Sequence, residues 1–152
     1  MTASKLEAYL YHHIPISGAM GVKVVWVTSE EIRLSAPLAP NINHCHTVFG
    51  GSESTLAILA AWSLIQVSLK ASFPDAQLVI RRNSVEYTAP ITGDFTATAL
   101  APSDAQWELF LRAMKRKNMG RVTINAFVRQ GNEVCGEFLG EFVATRGAII
   151  GR

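Results

Sequence analysis

The sequence lacks the features that identify secreted, membrane and nucleic-acid-binding proteins. It has only two cysteines, far apart in the chain, so we expect free thiols in a reducing cytoplasm rather than a disulfide. The N-terminal residues contain no apolar signal-peptide segment. The longest apolar run, residues 56–62, is too short to cross a bilayer. The net charge of +2 does not indicate a nucleic-acid-binding surface.

The composition is that of an ordinary globular domain. Of the 152 residues, 49% are apolar and 17% are charged, which is enough for one hydrophobic core without disulfides or metals. No repeat, low-complexity tract or linker divides the chain. We therefore predict a single domain over residues 1–152.

Apolar spacing predicts one long buried helix. Residues 6–14 have helical spacing that Pro15 ends, and residues 20–28 and 31–38 are typical of an antiparallel hairpin. Residues 52–71 carry apolar side chains on nearly all sides, which is typical of a helix buried inside a fold.

The rest of the chain is mostly strand. Further strands are predicted over residues 77–87, 95–100, 120–129 and 134–145, whereas residues 103–117 are compatible with either a helix or a strand. The whole pattern predicts an α+β fold, in which an antiparallel sheet of about five to six strands wraps around the long helix.

Two local patterns resemble those of hotdog-fold acyl-thioester enzymes. The first is Asn43-x5-Phe49-Gly50-Gly51 at the start of the buried helix, and the second is the Val-Glu-Tyr-Thr-Ala-Pro-x2-Gly-Asp bend at residues 85–94. The stretch over residues 40–52 is closer still to the carboxy-terminal domain of the YiiD type, whose members include thioesterases and malonyl-acyl-carrier-protein decarboxylases.

The resemblance implies a hotdog fold and a thioester of coenzyme A or acyl carrier protein as substrate. It implies a homodimer whose sites are completed by the partner subunit, and leaves open whether two dimers pair into a tetramer. It implies no cofactor, since coenzyme A or phosphopantetheine arrives as part of the substrate. Neither a nucleic acid nor a membrane is expected as a partner, and the expected location is cytoplasmic.

The glycine pair and two asparagines are the main candidate catalytic residues. Free N–H groups of Gly50 and Gly51 at a helix N-terminus favour a negative oxygen and would form an oxyanion hole for a thioester carbonyl. Asn43 is the first choice for a working amide because its spacing to Gly50 matches the thioesterase pattern, and Asn41 is the second. If this segment is extended, both asparagines point to one side.

The related thioesterases carry an acidic residue on the long helix, and this chain lacks it at the corresponding position. Phe49 stands where they carry a histidine, so Ile58 occupies the position of their Asp or Glu. Glu53 is the only carboxylate nearby on the helix, and it serves either catalysis or the helix dipole.

The missing acid favours decarboxylation of a malonyl thioester, which requires no nucleophile, over hydrolysis. Decarboxylation needs a stabilised enolate oxygen, an oriented carboxylate and an apolar wall, to which Phe49 and Ile58 would contribute. We therefore predict conversion of malonyl-acyl carrier protein, or malonyl-coenzyme A, to the acetyl thioester, which would supply fatty-acid synthesis. A thioesterase using Asn43, Glu53 or a water network is the alternative, and a non-catalytic acyl-coenzyme A sensor is the third.

Other residues are weaker candidates for a functional role. His44, Cys45 and His46 are adjacent, so they cannot all face one ion, and we predict no metal site. Predicted substrate-binding residues are Thr47, Phe49, Ile58, Arg81 and Arg82. Further candidates for phosphate or carrier-protein binding are Lys115, Arg116, Lys117 and Arg121. Both Trp26 and Trp62 are expected in the core.

Overall fold

The computed structural model describes residues 1–147, and its elements follow the predicted order. The helices are α1 (Ala3–His13), α2 (Pro15–Ala19), α3 (Gly50–Lys70) and α4 (Asp104–Lys117), with a 3-10 turn at Ala39–Asn41. The strands are β1 (Lys23–Val27), β2 (Glu31–Ala36), β3 (Ala76–Tyr87), β4 (Phe95–Leu100), β5 (Met119–Gln130) and β6 (Glu133–Arg146).

The six strands form one sheet in the order β1-β2-β4-β5-β6-β3, and every neighbouring pair is antiparallel. Side chains alternate between its two faces, as strand geometry requires. In β5, Val122 and Ile124 are buried towards the helices, while Arg121 and Thr123 are exposed on the other face. The predicted sheet of five to six antiparallel strands is confirmed, and β3 lies at its edge.

The long helix α3 packs on the inner face of this sheet and contacts five of the six strands. Its apolar residues point in most directions, so Leu56, Ile65 and Leu69 are all buried. The helix is long and apolar enough to cross a membrane, but most of it is enclosed by the fold. We therefore interpret it as the core helix. It begins at Gly50, slightly earlier than predicted.

The ambiguous segment forms helix α4. Ser103 and Gln106 make a reciprocal capping box at its start, and Asn118 ends it in a left-handed conformation with a φ of 55°. Its apolar side, with Phe110 and Met114 buried, packs on β5. Phe110 lies directly against Gly120, so this helix shares the inner face of the sheet with α3.

The expectation for Trp26 was wrong, and the condition attached to the two asparagines is not met. Trp26 is 55% exposed, because the β1–β2 register shifts between Val24 and Trp26 and changes the alternation of the strand. The expectation for Trp62 is met, because it packs against the core and its indole N–H donates to the Leu78 carbonyl at 3.0 Å. The segment that carries the two asparagines is not extended, since Asn41 lies in the 3-10 turn and a further turn follows it.

Candidate active site

The N-terminus of α3 meets the end of β3 at the edge of the sheet. Tyr87 pairs with Gly136 of β6, and the amides of Thr88 and Ala89 then donate to the Cys135 carbonyl at 2.8 and 3.3 Å. These bonds hold the chain after β3 beside the first turn of α3, around a pocket of about 330 Å³. Its walls are formed by Val48, Gly50, Glu53, Tyr87, Thr88, Ala89, Pro90 and Ile91.

Two backbone N–H groups at the start of α3 have no acceptor in the described part of the chain. Gly50 and Gly51 precede the first intrahelical donors, and Phe49 at the N-cap provides no side-chain bond. The amides of Ser52 and Glu53, by contrast, donate to the Phe49 carbonyl at 2.9 and 3.1 Å. Together with the helix dipole, the two free amides favour an oxygen that carries negative charge.

Glu53 is the carboxyl group of this pocket, and it is almost entirely buried. The residue is 3% exposed, and its Oε1 atom is enclosed without a hydrogen-bond partner among residues 1–147. The space for Oε1 exists because Gly136 has no side chain, since a Cβ there would overlap it. No cation pairs with Glu53 within the described residues. An unpartnered buried carboxyl is costly for folding, and in a pocket it marks a functional candidate.

Burial raises the pKa of Glu53 from the ordinary value of 4.5 to about 7. Removal from water disfavours the carboxylate, and no hydrogen bond or cation of residues 1–147 is found to compensate. Near neutral pH the acid and the carboxylate are therefore both well populated, which is the condition for efficient proton transfer in either direction. The sequence left open whether Glu53 serves catalysis or the helix dipole, and its position in the pocket wall supports catalysis.

Cys135 lies beside this pocket but is not suited to be a nucleophile. Burial raises the pKa of its thiol, and the negative charges of Glu133 and Glu53 raise it further. The side chain is buried in the core and forms no disulfide within the described residues, and its raised pKa keeps it a neutral thiol near pH 7. Its backbone carbonyl has the clearer role, since it holds the segment that follows β3.

Asn43 is engaged within its own loop. Its Oδ1 accepts from the amides of Cys45 and Thr47 at 2.8 and 3.1 Å, and its Nδ2 donates to the Thr47 hydroxyl at 2.9 Å. These bonds form an Asx-type turn, and the side chain is not among those that line the pocket. A catalytic role for Asn43 stays a prediction.

Asn41 is buried beneath the site loop. Its Nδ2 donates to the backbone carbonyls of Met20 and Pro37 at 2.9 and 2.7 Å. The backbone carbonyl of Asn41 accepts from the Phe49 amide at 2.7 Å. It therefore ties the loop to the N-terminus of α3. The expectation that both asparagines point to one side applied only to an extended segment, and the 3-10 turn at Asn41 breaks that geometry.

The remaining predicted site residues do not line the pocket. Phe49 is 58% exposed, and its ring lies against Gly51 at the entrance to α3. Ile58 is half-buried against the core and does not line the pocket. Arg81 forms an exposed ion pair with Glu141 at 2.7 Å, and Arg82, one residue further along β3, is also exposed. Their proposed substrate contacts stay predictions.

The adjacent histidines and cysteine of the loop do not form a cluster of ligands. His44, Cys45 and His46 are all exposed, and His46 has a left-handed φ of 60° within the turn. Over residues 1–147, no group of three or more potential ligand side chains is close enough to hold a metal ion.

Two residues of the site were missed from the sequence. Tyr87 lines the pocket and its hydroxyl donates to the Gly50 carbonyl at 3.1 Å. It lies within the Val-Glu-Tyr-Thr-Ala-Pro pattern, which predicted only a bend in the chain and no functional residue. Gly136 admits the Glu53 carboxyl, but nothing local in β6 indicates this, because the contact depends on how β6 pairs with its neighbours.

The comparisons with known proteins agree with this architecture. Residues 3–146 match the model of the family described as "Putative thioesterase (yiiD_Cterm)". A protein of unknown function from Chlorobaculum tepidum TLS is similar, with a TM-score of 0.88 and 25% identity over 95% of this chain and 94% of that chain. A putative thioesterase from Shewanella oneidensis has a TM-score of 0.83 and 26% identity over 94% of this chain and 96% of that chain.

A more distant structure supports the fold alone. A thioesterase from Haemophilus influenzae has a TM-score of 0.77 at 13% identity, over 96% of this chain and 92% of that chain. The hotdog fold predicted from the sequence is thus confirmed. Because the family model matches residues 3–146, the chain belongs to the family described as "Putative thioesterase (yiiD_Cterm)".

Proposed function

We propose that the protein is an enzyme for acyl thioesters of coenzyme A or acyl carrier protein, and that it decarboxylates a malonyl thioester to the acetyl thioester. The observation that carries this proposal is Glu53, a buried carboxyl in the wall of a pocket that also contains the first turn of α3. Family membership supports the thioester class. The reaction needs no cofactor beyond the thiol carrier of the substrate.

The first requirement is a site for the thioester carbonyl. Its oxygen would accept hydrogen bonds from the free amides of Gly50 and Gly51 at the positive end of the α3 dipole. The negative charge that develops on this oxygen in the transition state strengthens those bonds. One such donor typically contributes about 3 kcal/mol to transition-state stability.

The second requirement is loss of carbon dioxide. Val48, Ala89 and Ile91 give the pocket apolar walls, which solvate a carboxylate poorly and favour its departure. The electrons of the breaking carbon–carbon bond pass into the thioester as an enolate, held by the two amides. Glu53 in its neutral form then gives its proton to the α-carbon, which yields the acetyl thioester, and solvent reprotonates the carboxylate.

Hydrolysis is the second candidate, and the same residue favours it. With a pKa of about 7, Glu53 is partly ionised at neutral pH and could remove a proton from a water that attacks the carbonyl. The two reactions need opposite forms of Glu53. Decarboxylation uses the neutral acid, which also avoids repulsion of the substrate carboxylate, whereas hydrolysis uses the carboxylate.

The exposed edge of the sheet supports a homodimer. Strand β3 is twelve residues long and, among the strands that the structure describes, is paired on only one side. An unpaired edge of this length is usually covered by another strand or chain. Apolar residues near the pocket are exposed as well, namely Ile42 at 45%, Phe49 at 58% and Tyr87 at 54%. A second copy paired along β3 would shield them and enclose the pocket.

The proposal is tested by intact mass spectrometry of malonyl-acyl carrier protein and malonyl-coenzyme A after incubation with the protein. We expect the acetyl form, and we expect Glu53→Gln to slow its appearance at least tenfold. Glu108→Gln, a change of an exposed glutamate on α4, is the matched control and should behave as the unaltered protein. Release of the free carrier thiol would establish hydrolysis instead, and no change in either substrate would contradict both reactions.

A further inference from the structure

The last residue of β3 contacts the peptide that would bind the thioester oxygen. The Tyr87 hydroxyl donates to the Gly50 carbonyl at 3.1 Å. The tyrosine ring lies against Gly50, so that a Cβ there would sit 3.4 Å from ring atoms Cε1 and Cζ. Tyr87 reaches this position because β3 pairs it with Gly136, the residue that admits the Glu53 carboxyl.

The carbonyl of Gly50 and the N–H of Gly51 belong to one planar peptide unit and point in opposite directions. A bond that fixes the carbonyl therefore also fixes the direction of the N–H. An accepted hydrogen bond also polarises the peptide and makes its N–H a stronger donor. We propose that Tyr87 is a positioning residue, which orients and polarises the Gly50–Gly51 peptide so that the Gly51 amide faces the thioester oxygen.

Packing within one chain does not account for Tyr87. There the residue is 54% exposed, so its ring contributes little area buried inside the fold, and its hydroxyl would be well solvated without the Gly50 carbonyl. The ring packs close beside Gly50, since a Cβ at this position would meet it at 3.4 Å, an ordinary van der Waals distance. The hydroxyl proton is directed to the carbonyl, which distinguishes positioning from proton transfer to substrate.

This inference rests on the proposed function, because it assigns the Gly51 amide to a thioester oxygen. Its test is Tyr87→Phe, which keeps the ring and removes only the hydroxyl. Loss of one hydrogen bond should lower kcat roughly three- to tenfold, with KM unchanged and with the pH dependence set by Glu53 retained. Tyr11→Phe is the matched control, since the Tyr11 hydroxyl also donates to a carbonyl, that of Val22, outside the pocket.

A second readout does not depend on turnover. In protein labelled with 15N-glycine, the Gly51 amide proton should move upfield in Tyr87→Phe and stay in place in Tyr11→Phe, because a weaker donor is less deshielded. The inference is overturned if neither kcat nor this resonance changes, or if Tyr87→Phe removes the pH dependence, which would make Tyr87 itself the titrating group. If the unaltered protein turns over no thioester but the resonance moves, positioning of the peptide stands and the proposed function fails.

Discussion

Replacement of Glu53 by glutamine should change how stability depends on pH. Burial raises the pKa of Glu53 in the folded protein to about 7, whereas its ordinary value is 4.5. Between these values the unfolded chain has released the proton and the folded protein has kept it. The free energy of unfolding therefore falls as pH rises through this window and levels off above the folded pKa.

The magnitude follows from the two pKa values. Each pKa unit corresponds to about 1.4 kcal/mol, so the unaltered protein should lose about 2.5 kcal/mol of stability between pH 5 and pH 8 through this group. For a domain of this size, that loss corresponds to a fall in Tm of about 5 to 10 °C. Glu53→Gln lacks this titrating carboxyl and should be the more stable form at pH 8.

The assay is urea unfolding at a series of pH values, for the unaltered protein, Glu53→Gln and Glu108→Gln. The unaltered protein and Glu53→Gln differ only at residue 53, so the difference between their curves isolates this group. Parallel curves for the unaltered protein and Glu53→Gln would refute the claim that a buried, unpartnered carboxyl lies in this pocket.

Two further substitutions test the neighbourhood of the site. Gly136→Ala places a Cβ where Glu53 Oε1 lies and should lower kcat at least tenfold. Gly18→Ala, where the nearest atom would be 3.8 Å away, should leave turnover unchanged, and an active Gly136→Ala protein would show that the Glu53 position is not required. Asn41→Ala removes hydrogen bonds to two carbonyls and should lower the free energy of unfolding, measured by urea unfolding, by about 2 kcal/mol. A loss below a few tenths of a kcal/mol would contradict the role of Asn41 in holding the loop.

Local patterns were sufficient for most of the fold. The apolar residues around α3 and the alternation in β5 report burial directly, so helix and strands could be predicted within a few residues of their ends. The α4 segment was ambiguous because Trp107 to Leu111 also suit a strand, and the Ser103–Gln106 capping box was the signal that could have decided it. Trp26 was wrongly predicted in the core because no local sequence pattern indicates a bulge between paired strands.

The candidate site was predicted only in part, because its contacts join distant parts of the chain. The glycine pair at the start of α3 was found from a local pattern. The burial of Glu53 depends on Gly136, which β6 brings to it by strand pairing, and the Tyr87 bond to Gly50 depends on the register of β3. The loop of Asn43 folds into a turn through its own side-chain bonds, so the extended geometry that would place both asparagines on one side does not form.

The most direct test of the account is the pH dependence of single-turnover conversion of malonyl-acyl carrier protein to its acetyl form, followed by intact mass spectrometry. If neutral Glu53 supplies the proton to the α-carbon, the rate should be highest below pH 6 and fall about tenfold for each pH unit above the folded pKa of about 7. Glu53→Gln should be slow and independent of pH over this range. A rate that rises through pH 7, or a Glu53→Gln protein as fast as the unaltered one, would contradict the proposed role of Glu53.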